Sequence, residues 1–223
     1  MSEGGDDLDD LVRRVDPDRW LSSRFIADAA LRADVIAMYA YDHELARAPR
    51  VASNALLGEI RLTWWREMLD EAYEGRHVRH HPTAQALADV IRRRGLPREP
   101  LEAMIDGRYR ELDATPMTSK EALAWARDTA GRAAEAAAMI LAPGTDAGPA
   151  RAAGTAWALA KRSAEVPTLA GDAEKALRGA RQAVRGLDAT IFPVVAHAAL
   201  IGRRRSPLGD RLRLTWAVAR GRI

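Results

Sequence analysis

The sequence contains no cysteine and few of the aromatic residues that favour strands. With no cysteine among 223 residues, disulfides, thiolate catalysis and cysteine-ligated zinc or iron–sulfur sites are all excluded. Only two phenylalanines and four tyrosines are present, whereas alanine and arginine are abundant. This composition disfavours β-sheets and predicts an all-α protein.

Long hydrophobic runs and an excess of charge of one sign are also missing. The alanine-rich stretch 133–142 is interrupted by Glu135 and is shorter than the roughly 18 residues that a membrane span requires. The first ten residues are acidic and polar, unlike a secretory signal. The formal net charge is +3, and both signs of charge are spread along the chain, which argues against nucleic acid as a partner. We therefore expect a cytoplasmic protein.

Helical periodicity, punctuated by glycine and proline, runs through most of the chain. Residues 1–15 are predicted to form an acidic flexible tail, and Asp16-Pro17 is a helix start. Gly75 and Pro143-Gly144 mark helix ends. The segments predicted to be helical are 19–31, 33–48, 53–74, 82–94, 100–112, 118–141, 150–165, 172–188, 190–201 and 207–220. They predict one domain, 16–223, folded as a single antiparallel helical bundle.

Four short segments are more specific than the composition. MYAYDHELAR at 38–47 is followed by LGEIRLTWWR at 57–66, HPTAQAL at 81–87 and WARDTAG at 125–131. In this order they resemble the helices of squalene and phytoene synthases that carry the patterns YAFCR, LxxWR, HPVAxAL and YCxxVAG. The resemblance spans about residues 20–165, and it implies a helical bundle of the isoprenoid-synthase type.

The resemblance also implies a chemistry and the place of its first acidic cluster. In that family two prenyl diphosphates are joined head to head, and Mg²⁺, held by two facing clusters of carboxylates, assists the departure of diphosphate. The first cluster is a D-D-x-x-D pattern that follows the YAFCR-like segment. On this sequence its acids fall at Ala46, Arg47 and Arg50, so all three carboxylates are missing.

The second acidic cluster falls within 154–172 by the same resemblance. The Gln and Asn of its lead become Ala158 and Lys161, its first aspartate becomes Glu165, and its last becomes Leu169. One carboxylate of the set is left. A site with cations in place of these acids is not expected to bind a metal–diphosphate complex as the enzymes do.

In one branch of the family the first acidic cluster is replaced in a similar way. Glu44-Leu45-Ala46-Arg47 resembles the ELAR or ELAQ motif of the complex I assembly factors. This resemblance implies a catalytically inactive scaffold or assembly factor for a respiratory complex, with a subunit of that complex as protein partner. The alternative is an active prenyltransferase of the squalene or phytoene synthase type, with Mg²⁺ as cofactor. A third hypothesis is a carrier that keeps the cavity for a lipid or prenyl ligand.

The candidate site is a remnant of the enzymes' cavity, for which we expect no catalytic residue, no metal and no cofactor. Its predicted lining is Tyr41, Asp42, Glu44, Arg47, Arg50, Arg61, Trp65 and Glu165. Arg47 and Arg50 are predicted to point toward the space that the metal ions occupy in the enzymes. Asp42 and Glu44 lie two residues apart on a helix and so point to different faces, which favours ion pairing or solvation over metal binding.

Two further features have a structural and a functional interpretation. His77, His80 and His81 lie in one loop, where a surface cluster is favoured over a metal site. The C-terminal segment 203–223 opens with three arginines and then places Leu212 and Trp216 on one helical stripe. These two side chains are predicted to dock on the bundle. The alternative is peripheral contact with anionic lipid at the inner membrane.

Overall fold

The structure, a computed structural model, describes residues 3–50, 52, 54–202 and 206–223, and within these ranges it contains helices and turns but no strand. The helices are α1 (Glu3–Val15), α2 (Pro17–Ser23), α3 (Ala29–Arg50), α4 (Ala55–Tyr73), α5 (Pro82–Arg94), α6 (Arg98–Tyr109), α7 (Ser119–Ala126), α8 (Arg132–Leu141), α9 (Gly148–Glu165), α10 (Ala170–Ala183) and α11 (Pro207–Arg220). A π-helical turn, Arg127–Gly131, joins α7 to α8. The predicted all-α helical bundle is confirmed. None of the described helices is long and apolar enough to cross a membrane.

Helix α3 lies at the centre of the bundle. Its side chains Val35, Met38, Tyr39 and Leu45 are fully buried, as the spacing of apolar residues along this segment predicts. The helix packs against α1, α4, α5, α6 and α8. Because most of its surface is covered, the few charged side chains of α3 that face inward must find partners inside the protein.

Two glycines allow α6, α9 and the π-helical turn to approach each other closely. A Cβ on Gly154 of α9 would overlap the carbonyl oxygen of Ala130 in the turn. A Cβ on Gly107 of α6 would lie 2.9 Å from Cγ2 of Thr129, also in the turn. Turns of π-helix are frequently found at functional sites. Here the turn holds α6 and α9 at the distance that leaves a cavity beside α3.

The prediction of a flexible N-terminal tail is wrong for the described part of that segment. Glu3–Val15 forms α1, and its side chains Leu8 and Val12 are buried in the core. Asp9, on another side of the helix, accepts a hydrogen bond from Nε1 of Trp20 at 2.9 Å. The many acids suggested full solvation, but the apolar residues four apart give the helix one face that packs on the bundle.

Two predicted helices are interrupted. Residues 19–31 do not form one helix, because 24–28 leave the helical path and the carboxylate of Asp28 then accepts hydrogen bonds from the backbone N–H groups two and three residues ahead. Residues 190–201 form two short 3-10 segments and turns instead of an α-helix. Pro193, which has no backbone N–H, lies in the first of these segments and removes one α-helical hydrogen bond.

Helix α11 docks on the bundle by a different face from the one predicted. Leu214 is fully buried, whereas Leu208, Leu212 and Trp216 are 70%, 61% and 60% exposed. The interpretation in which Leu212 and Trp216 pack on the bundle is therefore wrong. The three arginines at 203–205, which precede this helix, lie outside the described residues.

Candidate functional site

A cavity of about 240 Å³ opens between α3, α6, the π-helical turn and α9. Part of its wall is apolar and includes Met117, Trp125 and Trp157. The rest is ionisable, and the charged side chains among its lining residues are Asp16, Arg19, Asp42, Arg50, Arg108, Glu111, Lys161, Arg162 and Glu165. The chemistry of this cavity therefore depends on how these charges are paired.

The carboxylate of Asp42 lies at the floor of the cavity between two arginines. Its Oδ2 accepts a hydrogen bond from Nη2 of Arg19 at 2.7 Å, and its Oδ1 accepts one from Nη2 of Arg108, also at 2.7 Å. Arg19 also binds the carboxylate of Asp16, which caps α2. Arg108 also donates to Oε1 of Glu111 at 2.6 Å. These five side chains form what we call the arginine–carboxylate cluster, and it joins α2, α3 and α6.

The cluster is charged although it is shielded from water. Burial by itself would raise the pKa of Asp42, but the two guanidinium groups of Arg19 and Arg108 outweigh burial and lower it to about 2. Asp42 is therefore ionised at neutral pH. Arg19 also lies over the rings of Tyr39 and Trp157, with its guanidinium carbon 4.7 and 4.9 Å from their centroids. These two cation–π contacts help to hold the guanidinium in place.

The mouth of the cavity carries cations that the cluster does not neutralise. Arg50 and Lys161 are exposed, and within the described residues neither has a carboxylate at ion-pair distance. The ammonium of Lys161 lies 4.2 Å from the ring centroid of Trp157. Glu165 is also at the mouth, but it accepts a hydrogen bond from Nη1 of Arg162 at 2.8 Å. The mouth is therefore positively charged.

A separate groove of about 330 Å³ lies between α3 and α4. It is lined by Glu44, Arg47, Arg61 and Trp65 of the predicted site, together with Ala48, Ile60, Trp64 and His81. Nη1 of Arg47 donates to Oε1 of Glu44 at 3.0 Å, so this pair forms an ion pair along one helix. The groove does not share a lining residue with the cavity.

The predicted site residues are therefore divided among three places. Asp42, Arg50 and Glu165 line the cavity, whereas Glu44, Arg47, Arg61 and Trp65 line the groove. Tyr41 lines neither, because its ring is fully buried and its hydroxyl donates to the carbonyl of Leu101 at 3.0 Å. The expected ion pairing of Asp42 is confirmed, but with arginines of other helices.

Comparison with known proteins decides the family. Residues 12–170, which are more than half of the chain, match the model of the family described as squalene/phytoene synthase. The chain belongs to the squalene/phytoene synthase family.

Its fold is similar to that of a dehydrosqualene synthase in complex with ligand, with a TM-score of 0.73, 14% identity and coverage of 97% of this chain and 95% of that one. It is also similar to a squalene synthase from Alicyclobacillus acidocaldarius, with a TM-score of 0.70, 16% identity and coverage of 98% and 94%. At these identities the likeness establishes the isoprenoid-synthase fold alone.

Two curated relatives are named as assembly factors and not as synthases. The NADH dehydrogenase (ubiquinone) complex I, assembly factor 6, of Bos taurus is 30% identical over 104 residues, which cover 47% of this chain and 31% of the relative. The protein of that name from Homo sapiens is 28% identical over 104 residues, with the same coverage. The chain therefore matches about a third of the length of these curated relatives.

In this squalene/phytoene synthase family member, residues from both segments that the sequence resemblance assigns to the acidic clusters line the cavity. Ala46 and Arg50 of α3 line the same space as Lys161 and Glu165 of α9. Arg47 does not, and the prediction that it points into this space is wrong. Successive residues of a helix are about 100° apart, so 46 and 50 share a face while 47 turns toward the groove.

The residues of the cavity do not fit the Mg²⁺ ions that the family resemblance implies. The carboxylates that remain, Asp16, Asp42, Glu111 and Glu165, each bind an arginine. Within the described residues no group of three histidines, cysteines or acids could hold a metal ion. The three loop histidines are no exception, since His81 packs its ring edge-on against Trp64 and Trp65. Guanidinium and ammonium groups beside the remaining carboxylates would repel a divalent cation.

Arg19, Arg108 and Glu111 were not among the site residues predicted from the sequence. One signal was present for Arg108, because it follows Leu101 and Met104 at helical spacing on the buried face of α6. An arginine on an otherwise apolar face predicts a buried partner. Arg19 has no comparable signal, since only the packing of α2 against α3 places it beside Asp42.

Proposed function

We propose that this chain is a catalytically inactive member of its family that acts as an assembly factor for a respiratory complex. The observation that supports inactivity is that Ala46 and Arg50 line the cavity at positions where the resemblance places carboxylates, and Lys161 lines it where the resemblance places asparagine. Departure of diphosphate from a prenyl substrate needs a Lewis acid to stabilise the charge that develops. A cavity that does not fit Mg²⁺ lacks this assistance, so the function of the chain is binding.

The names of the curated relatives support a protein partner. Both are called assembly factors of complex I, and one of them is 30% identical to this chain over 104 residues. The partner that we propose is accordingly a subunit or an assembly intermediate of a respiratory NADH dehydrogenase. No cofactor and no nucleic acid takes part in this function.

The first experiment tests catalytic inactivity. The purified chain is incubated with farnesyl or geranylgeranyl diphosphate and Mg²⁺, beside an active dehydrosqualene synthase as positive control. We expect no coupled hydrocarbon from the chain. Formation of squalene, phytoene or a related product at a rate above the protein-free background would show that the chain is a prenyltransferase and would overturn the proposal.

The second experiment tests the role in assembly. The gene is deleted in the organism that encodes it, and the amount of intact NADH dehydrogenase complex in the membranes is measured on native gels. We expect less of the complete complex and more partly assembled material, with recovery when the chain is supplied again. An unchanged amount of complex, or recovery with an unrelated bundle protein of similar size, would contradict the assembly role.

A place at the cytoplasmic face of the inner membrane is part of the proposal, and α11 supports it. The exposed Leu208, Leu212 and Trp216 form a stripe four residues apart, and the guanidinium of Arg220 lies 3.9 Å from the centroid of Trp216. The only acid of this helix, Asp210, is buried on the other side. An exposed apolar stripe with arginines beside it fits a surface of anionic lipid.

Vesicle co-sedimentation tests this contact. We expect binding of the full chain to anionic vesicles at low salt, and about a fivefold or larger loss in the double variant Leu212→Ser, Trp216→Ser, because the inserted apolar area is removed. Leu123→Ser is the control, since Leu123 is an exposed leucine of α7 away from the stripe. Equal binding by the double variant and the control, or no binding by the full chain, would exclude α11 as the contact.

A further inference from the structure

We infer that the groove between α3 and α4 is the docking site for an amphipathic helix of a partner protein, one that carries a carboxylate beside its apolar stripe. This inference deepens the proposed assembly role, on which it rests for the presence of a protein partner, because it says where the partner binds and what chemistry it presents. Three observations support it: an exposed apolar face of α4, the aromatic floor of the groove, and the charge at its rim.

The first observation is an exposed apolar face on the first half of α4. Leu56, Leu57 and Ile60 are 63%, 41% and 55% exposed. Because successive residues are about 100° apart, these three side chains and Trp64 lie within about 100° of each other around the helix. One turn beyond Trp64 the same face is covered, since Met68 is fully buried. Neighbouring exposed apolar side chains that adjoin a groove are typical of an interaction site, whereas single ones are not.

The second observation is that the floor of the groove is built from aromatic rings that hold one another in place. Trp65 is buried, and it makes T-shaped contacts with the rings of Trp64 and His81, with 4.9 and 5.2 Å between ring centroids. A further T-shaped contact joins Trp65 to Tyr41 of α3 at 5.4 Å. The groove is therefore formed before a partner binds, which lowers the cost of ordering its side chains on association. Tryptophan and arginine, which both line it, are the residues that most often dominate binding at protein interfaces.

The third observation is the charge at the rim of the groove. Its lining includes one acid, Glu44, and two arginines, Arg47 and Arg61. Glu44 is already engaged, because Nη1 of Arg47 donates to it at 3.0 Å. Arg61 is exposed, and no acid in the described part of the chain forms an ion pair with it. Arg61 lies one turn from Leu57, at the edge of the apolar face. A carboxylate next to the partner's apolar stripe would complement this charge.

The shape and charge of this surface favour a helix over lipid or a second copy of the chain. Two helices wall the groove, and an apolar stripe with side chains three and four residues apart is the element that lies in such a groove. The arginines that accompany the stripe of α11 are absent from the exposed face of α4, which has Arg61 alone at its edge. A flat lipid surface would also leave the groove unfilled. A second copy that used the same face would present another Arg61 in place of a carboxylate.

Site-specific photo-crosslinking in the organism that encodes the chain tests the docking site. The full chain carries p-benzoylphenylalanine in place of Leu57, which adjoins the groove without lining it, and the cross-linked peptides are sequenced by mass spectrometry. We expect one dominant cross-link to an amphipathic segment of another protein with Asp or Glu beside its apolar stripe, at least about fivefold stronger than from the control position. The control is Leu123, an exposed leucine of α7, replaced in the same way.

The chemistry of the partner is tested by changing the charge of Arg61. In the chain with the photo-reactive residue at 57, we expect Arg61→Glu to lower the yield of the cross-link at least about fivefold, because it places like charges opposite each other, and Arg61→Lys to change it less than about twofold. Arg178→Glu on α10 is the matched control, since Arg178 is also exposed. Exchange of the partner's carboxylate for arginine should restore the yield with Arg61→Glu. Circular dichroism checks that each variant folds.

Several results would overturn the docking site. These are a cross-link from 57 no stronger than that from 123, a cross-link to a second copy of the chain or to lipid, a cross-linked segment without an acid, or an unchanged yield in Arg61→Glu. The two proposals fail separately. A cross-link to an acidic amphipathic helix of a protein unrelated to respiratory complexes would support the docking site and contradict the assembly role. Loss of the complete complex on gene deletion, with no cross-link from 57, would do the reverse.

Discussion

Asp42 pairs with two arginines from helices that are far apart in the sequence. Arg19 lies on α2 and Arg108 on α6, and all three side chains are less than 10% exposed. Water screens these buried charges only weakly. The cluster therefore contributes little net free energy while it is intact, but it imposes a large cost when one partner is removed.

Replacement of Asp42 tests the cluster. We expect Asp42→Asn to lower the free energy of unfolding by about 3–5 kcal/mol, because it leaves two buried guanidinium groups without their shared counter-charge. Denaturation in urea measures the change. The control is Asp89→Asn, which breaks an exposed ion pair with Arg92 and should cost less than about 1 kcal/mol. A cost for Asp42→Asn that matches the control would show that the cluster is hydrated.

His197 is a buried residue that sequence analysis did not single out. Neither ring nitrogen has a hydrogen-bond partner within the described residues, and the imidazole makes a T-shaped contact with the ring of Trp157, with 5.1 Å between ring centroids. Burial lowers the pKa of His197 to about 3. In the unfolded chain the ordinary value is near 6.5, so the unfolded state binds a proton that the folded state does not.

The consequence is a loss of stability on mild acidification. Below pH 6.5 the free energy of unfolding should fall by about 1.4 kcal/mol per pH unit through His197, and this loss continues until the folded pKa is reached. Asp42 contributes in a lower window, because its stabilisation is lost only as pH falls below its ordinary value of 3.8 toward about 2. We expect His197→Leu to make the slope between pH 6.5 and 5 shallower, measured by denaturation at each pH; the remainder comes from His43 and His81, whose pKa values burial also lowers. His77→Leu, in an exposed loop, is the control, and an unaltered slope in His197→Leu would contradict this account.

At the scale of the elements, α9 depends on its close approach to the π-helical turn. We expect Gly154→Ala to destabilise the chain by about 1–3 kcal/mol, because the added Cβ meets the carbonyl oxygen of Ala130. Gly179→Ala in α10 is the matched control, since its Cβ would enter open space, and it should stabilise by about 0.5–1 kcal/mol. In thermal denaturation we expect the melting temperature to fall for Gly154→Ala and to rise for Gly179→Ala. A stabilising Gly154→Ala would show that α9 moves away from the turn at little cost.

Most helices could be predicted from the sequence because glycine and proline mark their ends. The exceptions depend on tertiary contacts. In α1, two apolar residues four apart lie among many acids. They form a buried helix face only because the rest of the bundle packs against them. At 24–28 the break follows from a side-chain cap at Asp28. In α11 the stripe of Leu212 and Trp216 was correctly placed on one face, but periodicity does not tell which of two apolar faces is buried.

The candidate site could also be predicted only in part, because some of its residues are brought together by tertiary contacts. The resemblance located Arg50 and Glu165 correctly at one cavity, although they are more than 100 residues apart in the sequence. It placed Arg47 there too, because a motif records the order of residues and not the direction of each side chain. The arginine–carboxylate cluster was missed, since it depends on how three helices pack. The sequence signal for such a cluster is a charged residue on an otherwise apolar helix face, which predicts a buried partner.

At the scale of the whole molecule, the family's metal dependence is expected to be absent. A ligand that binds only the native state raises the melting temperature by mass action. We expect Mg²⁺ at millimolar concentration to shift the melting temperature of this chain by less than about 1 °C, measured in the absence of other ligands. Addition of Mg²⁺ to samples that contain diphosphate should likewise give no further rise. A rise that depends on Mg²⁺ concentration and grows with diphosphate would favour the prenyltransferase alternative.

The cations around the cavity also make the exchange of acids difficult to reverse. Ala46→Asp and Arg50→Asp together would restore two carboxylates on α3, but Lys161 and Arg162 of α9 line the same space and would pair with them before a metal ion could. Restoring acids on α9 first would meet the same obstacle from Arg50. Each single step toward a metal site would thus produce another ion pair, and a site that binds Mg²⁺ would require several substitutions at once. For an engineer, and for a lineage under selection, the charges around the cavity oppose the stepwise construction of a metal site.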